Sequence, residues 1–440
     1  MKQPMRRAAA ILIASCFILP TPTPAYSVLT HEAIIDVLWN SNIRPLLLKR
    51  FPNSTKEEML KAHAYAYGGA IVQDMGYYPH GSKFVSDLAH YFRSGDFICA
   101  LLRDSTDLNE YAFALGALSH YAADNEGHPL ATNLVVPMLY PRIAKNYGNV
   151  MTYEDNPLAH IKTEFAFDVL QVAKGRYAPD SYRDFIGFEV SLPVLDRAFR
   201  DTYGINLNTV IKNEEDAANS YRYSISTLIP KATKVAWDLK KDEIQKDLPG
   251  TTRSKFLYNI RRSSFEKQWG KDYRRPSFGD KLIALLIRIL PKIGPLRILT
   301  FRTPTAESEK LFENSFNYAV ERYRHLLVEV DEGRLDIPND NFDVGVPTPI
   351  GEYKLADKTC EELLHRLTKE QMAEIDPVLR NKILAFYAQR GTLKSFQRHK
   401  KYAARIDAEL ETLKSLPEKS EESAAQTSPL PLVQQDLLGF

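Results

Sequence analysis

A chain of 440 residues that is 44% hydrophobic and 25% charged can bury a sizeable core, which excludes a disordered or fibrous protein. A formal net charge of only +2 excludes a general attraction to polyanions as the basis of function. The length fits two domains, or one large domain with appendages.

The first element is a leader. "MKQPMRR" is basic, "AAAILIASCFIL" is a short apolar run, and "PTPTPA" ends it with helix breakers and a small residue. This reads as a secretory signal peptide over 1–25, because the apolar run is too short to span a bilayer. Cleavage after Ala25 leaves Tyr26 at the new N-terminus; losing Lys2, Arg6 and Arg7 takes three positive charges and leaves −1. Lipoprotein processing at Cys16 in "IASC" competes, but the residues after Cys16 are apolar where a lipoprotein turns polar. The expected location is therefore periplasmic or secreted. Only Cys99 and Cys360 would remain, so the fold rests on its core or on metal rather than on a disulfide framework. Whether the two pair is open at this level.

From 28 to about 235 the apolar residues recur with helical period and no strand-like alternation appears. Thr30 is placed to cap a helix through "HEAIIDVLW", and "KEEMLKAHAYAYGGA" reads as a helix stopping at Gly68-Gly69. Ser86 is placed to cap "DLAHYFRS". "LNEYAFALGALSHYAAD" is a helix with its exit marked by Gly127 and Pro129. Asn156 followed by Pro157 starts "LAHIKTEFAFDVLQVA". Further helices cover "LPVLDRAFRDTY" and "DAANSYRYSISTLIPKATKVAWDLKKDEI".

Residues 231–302 change character, with 18 Lys/Arg against 7 Asp/Glu. Within them "DKLIALLIRILPKIGPLRIL" gives a helix, capped by Asp280, with a thin cationic stripe and wide apolar faces. Such a helix suits either a membrane interface, over 281–299, or a buried packing role. A Pro/Gly/Asp-rich loop, "RLDIPNDNFDVGVPTPIGEY", precedes helices from Ala356 to about Leu413, and the tail is polar and Pro/Ser-rich. The expected division is 1–25 leader, 26–235 helical domain, 236–335 basic and partly apolar helical region, 336–415 helical accessory region and 416–440 disordered tail.

Seven of the ten histidines lie before residue 161: His31, His63, His80, His90, His120, His128 and His160. A helix presents i and i+4 on one face. His120 therefore shares a face with Asp124, and His160 with Glu164. Imidazole and carboxylate are zinc ligands, usually four to an ion, and two such pairs on facing helices make a bundle metal site. His31 opens one helix, His90 lies in a short one, Asp74 sits in the break "QDMGYYP", and His128 sits on the turn after Gly127. A single His-x-x-x-Asp is common by chance, and a lone buried histidine is more often a hydrogen-bonded core residue. His63 is read that way, His80 as a turn residue, and His325 and His365 as surface or core residues.

With Tyr26 as the mature N-terminus the chain resembles the superfamily of zinc-dependent phospholipases C and S1/P1 nucleases. The resemblance runs through Tyr26, His31, Asp74, His90, "HYAAD" (His120, Asp124), His128 and "HIKTE" (His160, Glu164), over about residues 26–235. It implies an all-α fold: a multi-helix bundle with a tri-zinc cleft, here followed by a mainly helical C-terminal extension. It also implies three zinc ions. One takes Asp74, His90, His120 and Asp124. A second takes His128, His160 and Glu164 with solvent. A third takes His31, the α-amine and carbonyl of Tyr26, and a share of the Asp124 carboxylate. Tyr26 stands where the family carries tryptophan. The long interval from His128 to His160 departs from the family and implies an extra loop.

Clustered zinc ions suit phosphodiester hydrolysis by a zinc-bound hydroxide. Asp74 is the expected catalytic carboxylate, binding metal and orienting or deprotonating the attacking water. The expected substrate is a phospholipid head-group phosphodiester, with peripheral membrane contact through 281–299. A single-strand nuclease is the alternative and would use nucleic acid. It needs aromatic platforms, for which Tyr77, Tyr78 and His80 are the candidate substrate-binding residues. A non-catalytic zinc-binding surface protein is the third reading.

Overall fold

In the computed structural model, residues 27–177, 186–250, 252, 294–369 and 374–419 are described. Residues 1–26, the predicted helix cap Asp280, residues 281–293 and the tail from 420 onward lie outside the described residues.

The longer helices, in chain order, are α1 (Val28–Leu38), α2 (Lys56–Gly69), α3 (Lys83–Tyr91), α4 (Ser94–Asp104), α5 (Leu108–Gly127), α6 (Pro157–Ala173), α7 (Leu192–Tyr203), α8 (Glu214–Tyr223), α9 (Ile229–Asp247), α10 (Ala306–Asp331), α11 (Lys354–Lys369), α12 (Pro377–Phe386) and α13 (Lys400–Ser415). No strand occurs among the described residues, only two isolated bridges, Asn341 with Val346 and Ile375 with Glu418. The fold is all-α, as the periodicity predicts. No helix among the described residues is long and apolar enough to cross a membrane.

Helix α5 is the axis of the molecule. Every residue from Glu110 to Asn125 is buried, the pattern of a helix enclosed on all sides. Its composition explains how neighbours approach so closely. A Cβ on Gly116 would lie 2.1 Å from the Ala66 carbonyl oxygen of α2, and one on Gly69 would lie 1.9 Å from that of Phe113. The two helices therefore cross backbone to backbone, and only glycine fits at either position. Helix α10 also packs on α5, and Tyr323 donates to the Leu115 carbonyl at 2.8 Å.

One apolar core runs from Val28 to Leu413. The C-terminal helices share it: Leu363 and Leu367 of α11 and Ile406 and Leu410 of α13 belong to the same cluster. Cys99 and Cys360 are unpaired.

Two predicted caps are corrected. Helix α1 begins at Val28, ahead of Thr30, because Asp168 of α6 accepts from the Leu29 amide at 2.9 Å and from the Thr30 hydroxyl at 2.7 Å. A carboxylate from another helix thus satisfies a first-turn N–H that a cap would otherwise serve. Helix α3 begins at Lys83, and Ser86 lies inside it, its hydroxyl accepting from the Gly76 amide at 2.9 Å. Asn156 caps α6 as its sequence predicts, accepting from the Ala159 amide at 2.9 Å. Helix α5 does not break at Gly127; it runs on through a π turn, His128–Thr132, and a short helix, Asn133–Leu139.

Candidate metal centre

The described metal-ligand candidates arrive from six parts of the fold. His31 comes from α1, Asp74 from a 3₁₀ turn (Val72–Tyr77), His90 from the last turn of α3, His120 and Asp124 from α5, and His160 and Glu164 from α6. His128 opens the π turn after α5. All are buried, none more than 2% exposed.

Three donor groups form, each with ligand atoms mutually within 4.8 Å: His31, His120 and Asp124; Asp74, His90 and His120; and His128, His160 and Glu164. Asp124 links them. Its Oδ1 lies 3.5 Å from His31 Nε2, while its Oδ2 lies 3.1 Å from His120 Nε2, 3.7 Å from His90 Nε2 and 3.8 Å from His128 Nε2. His90 Nε2 stands 3.4 Å from Asp74 Oδ1 and 3.5 Å from His120 Nε2. Donors that share a tetrahedral zinc at about 2.05 Å sit about 3.3 Å apart. Most of these separations match that edge and are long for charge-assisted hydrogen bonds.

The ring orientations fit metal binding as well. His90 Nδ1 meets the Ser86 carbonyl at 2.7 Å, and His120 Nδ1 meets that of Ala70 at 2.9 Å. Each Nδ1–H is thereby committed to a carbonyl, which leaves Nε2 as the free donor facing the cluster. His160 uses Nε2 toward Asn133 Oδ1 at 2.9 Å and turns Nδ1 to Glu164 at 2.7 Å. Both carboxylate oxygens of Asp74 and of Asp124, and Glu164 Oε2, are buried without a hydrogen bond. Buried carboxylates left this way are costly unless a cation is bound. The donor set of imidazole nitrogens and carboxylate oxygens suits zinc.

Electrostatics agree. Burial pushes Asp74 and Glu164 upward, and burial lowers His128 and His160. His31 falls to about 3, through burial and then the charge of His120. Burial also opposes charge on Asp124 and His90 but loses at both. Asp124 is held low by the charge of His120 beside it, and His90 rises to about 9 beside the carboxylates of Asp74 and Asp124. A proton trapped among carboxylates is what a divalent cation displaces. Chelation should therefore cost stability: ions at 1,000 times their dissociation constant contribute about 4 kcal/mol, so EDTA should lower Tm by about 10 °C in calorimetry.

The excursion between His128 and His160 folds back on itself. Met151 donates to the Asn133 carbonyl at 2.9 Å, and Val136, Met151 and Ala159 form a small core of their own. The His128 and His160 rings then stack, with centroids 5.0 Å apart. Of the remaining aromatic candidates, Tyr77 lies beside the donor groups, its ring centroid 5.9 Å from that of His90. Tyr77 is buried and donates to Asp87 at 3.1 Å, Tyr78 packs edge-on against Tyr221, and His80 is exposed on a turn with φ of 64°. His63 is a core residue, stacked on Trp39 at 3.8 Å with Nε2 3.0 Å from Asp36. His63→Ala should keep full zinc content by elemental analysis while losing about 2–3 kcal/mol in denaturant unfolding.

One residue at the site was not anticipated. Asp343, in the loop after α10, places Oδ1 3.4 Å from His128 Nε2. Nothing in its local sequence signals this, because the partner lies far upstream and only the tertiary fold joins them.

Residues 30–213 match the family described as zinc dependent phospholipase C. No curated protein and no solved structure matches the chain. The matched segment contains every described residue of the three donor groups. Residues 30–213 therefore carry a likeness to the zinc-dependent phospholipase C family that spans less than half of the chain.

Proposed function

We propose that this protein is an exported zinc-dependent phosphodiesterase that hydrolyses the head-group phosphodiester bond of phospholipids. The observation that carries the reading is the set of three buried donor groups joined through Asp124. Asp74, His90, His120 and Asp124 would hold one ion, His128, His160 and Glu164 a second, and His31, Asp124 and the Tyr26 backbone a third.

Zinc in such a cluster supplies an activated water and neutralises charge on the phosphoryl group and the leaving oxygen. The chain's own part is to fix the donors and to handle the proton. Ser86 and Ala70 carbonyls orient His90 and His120. Asp74 carries two oxygens free of hydrogen bonds beside His90, so one can take the proton of the attacking water while the other stays bound. Phe342 lies against the His90 and His120 rings, 5.2 and 6.0 Å between centroids, and keeps that side apolar.

A nuclease needs exposed aromatic faces beside the site. Tyr77, although beside His90, and Tyr78 are both buried and present no exposed face for a base, which favours the lipid substrate. Export rests on the leader, and contact with the membrane through 281–299 belongs to the same proposal. The test is hydrolysis of phosphatidylcholine vesicles and of single-stranded DNA, each with and without chelator. Chelator-sensitive release of a phosphorylated head group is expected. Turnover of DNA alone would favour the nuclease, and turnover of neither would leave a zinc-binding protein without this reaction.

A further inference from the structure

Between α10 and α11 the segment 336–346, "DIPNDNFDVGV", crosses the metal centre. It is pinned along its length. Asp96 donates its amide to Asn339 Oδ1 at 2.9 Å, Ser94 donates to the Asp340 carbonyl at 2.6 Å, and Tyr121 donates to Asp340 Oδ2 at 2.8 Å. The Phe342 amide donates to the His90 carbonyl at 3.1 Å. Gly345, at φ +73°, passes so close to α5 that a Cβ would lie 2.7 Å from the Asn125 carbonyl oxygen. A segment held at this many points is a fixed wall of the site.

Asp343 is the one residue of this wall whose carboxylate meets a ligand. It is 2% exposed. Its Oδ2 accepts hydrogen bonds from Tyr91, at 3.2 Å, and from Tyr353, which orients Oδ1 toward His128 Nε2 at 3.4 Å. That distance is long for a charge-assisted N–H···O bond but matches the separation, about 3.3 Å, of two donors sharing one tetrahedral zinc. Asn133 adds a second link: its Oδ1 meets His160 Nε2 at 2.9 Å and its Nδ2 donates to the Asp343 carbonyl at 2.7 Å. The wall and the ligand His160 are thus positioned by one side chain. His128, His160 and Glu164 supply three donors, one short of the usual four.

We propose that Asp343 is a further zinc ligand, supplied by the C-terminal region to the ion held by His128, His160 and Glu164. The proposal rests on the reading of the cluster as a zinc centre, and it makes the region beyond residue 213 part of that centre. The test is elemental zinc analysis of the full chain beside Asp343→Asn and Asp343→Ala, with the visible spectra of the cobalt-substituted proteins. Asparagine keeps the shape and an acceptor for the tyrosines, so it guards against simple misfolding. The expected result is one zinc equivalent fewer in Asp343→Ala, at least a tenfold weaker site in Asp343→Asn by chelator competition, and altered cobalt d–d bands in both. Unchanged zinc content and cobalt bands in a folded Asp343→Asn protein overturn the proposal, as does unchanged zinc with raised hydrolysis in Asp343→Ala, which would make the segment an inhibitory cover. A wild-type chain that binds no zinc overturns the zinc reading together with this one.

Discussion

Asp124→Ala is expected to lose at least two zinc ions and to lower phosphodiester hydrolysis by about a thousandfold. The expectation follows from how the carboxylate is divided. Oδ1 faces His31, and Oδ2 faces His120, His90 and His128. Removing it leaves the histidines of three groups without the anion that joins them. Metal ions contribute several kcal/mol of transition-state stabilisation, and each 1.36 kcal/mol is tenfold in rate, so about a thousandfold is a conservative figure. Zinc analysis and turnover on phosphatidylcholine check it. Retention of full zinc content and full turnover would show that Asp124 bridges nothing.

The second large effect belongs to the fold. Gly116→Val should leave little soluble, folded protein at 37 °C. A Cβ at this position would sit 2.1 Å from the Ala66 carbonyl oxygen, and that atom is helix backbone, which cannot swing aside. Separating α5 from α2 would open the core along both helices. Overpacking of this kind costs about 3 kcal/mol or more against a total stability of about 5–15 kcal/mol. Gly116 lies one turn before His120, so a survivor should also show a displaced metal centre. Gly116→Ala, monitored by thermal unfolding and zinc content, reports the same strain in milder form. A valine variant as stable as the parent would refute the close crossing.

The legible part of the site was its local geometry. His120 with Asp124 and His160 with Glu164 share helix faces because a helix repeats every 3.6 residues, and that relation needs no tertiary information. The start of α6 was equally local, since Asn156 and Pro157 act on their own helix. Thr30 and Ser86 failed as caps for the complementary reason. Each has the right chemistry for a cap, but Asp168 and Gly76, brought in by the fold, claimed their hydroxyls first. Asp343 was illegible because its neighbours Tyr91, Asn133 and Tyr353 come from three separate elements. The reach of the C-terminal region into the metal centre was hidden likewise: Phe342 on the His90 and His120 rings is a long-range contact with no periodic signature.

The zinc centre is tested most directly by anomalous diffraction at the zinc absorption edge from crystals of the mature protein. Three anomalous peaks are predicted: one among Asp74, His90, His120 and Asp124; one among His128, His160, Glu164 and Asp343; and one beside His31, Asp124 and the chain start. Crystals grown with zinc that show no peak among these side chains would contradict the proposed metal centre.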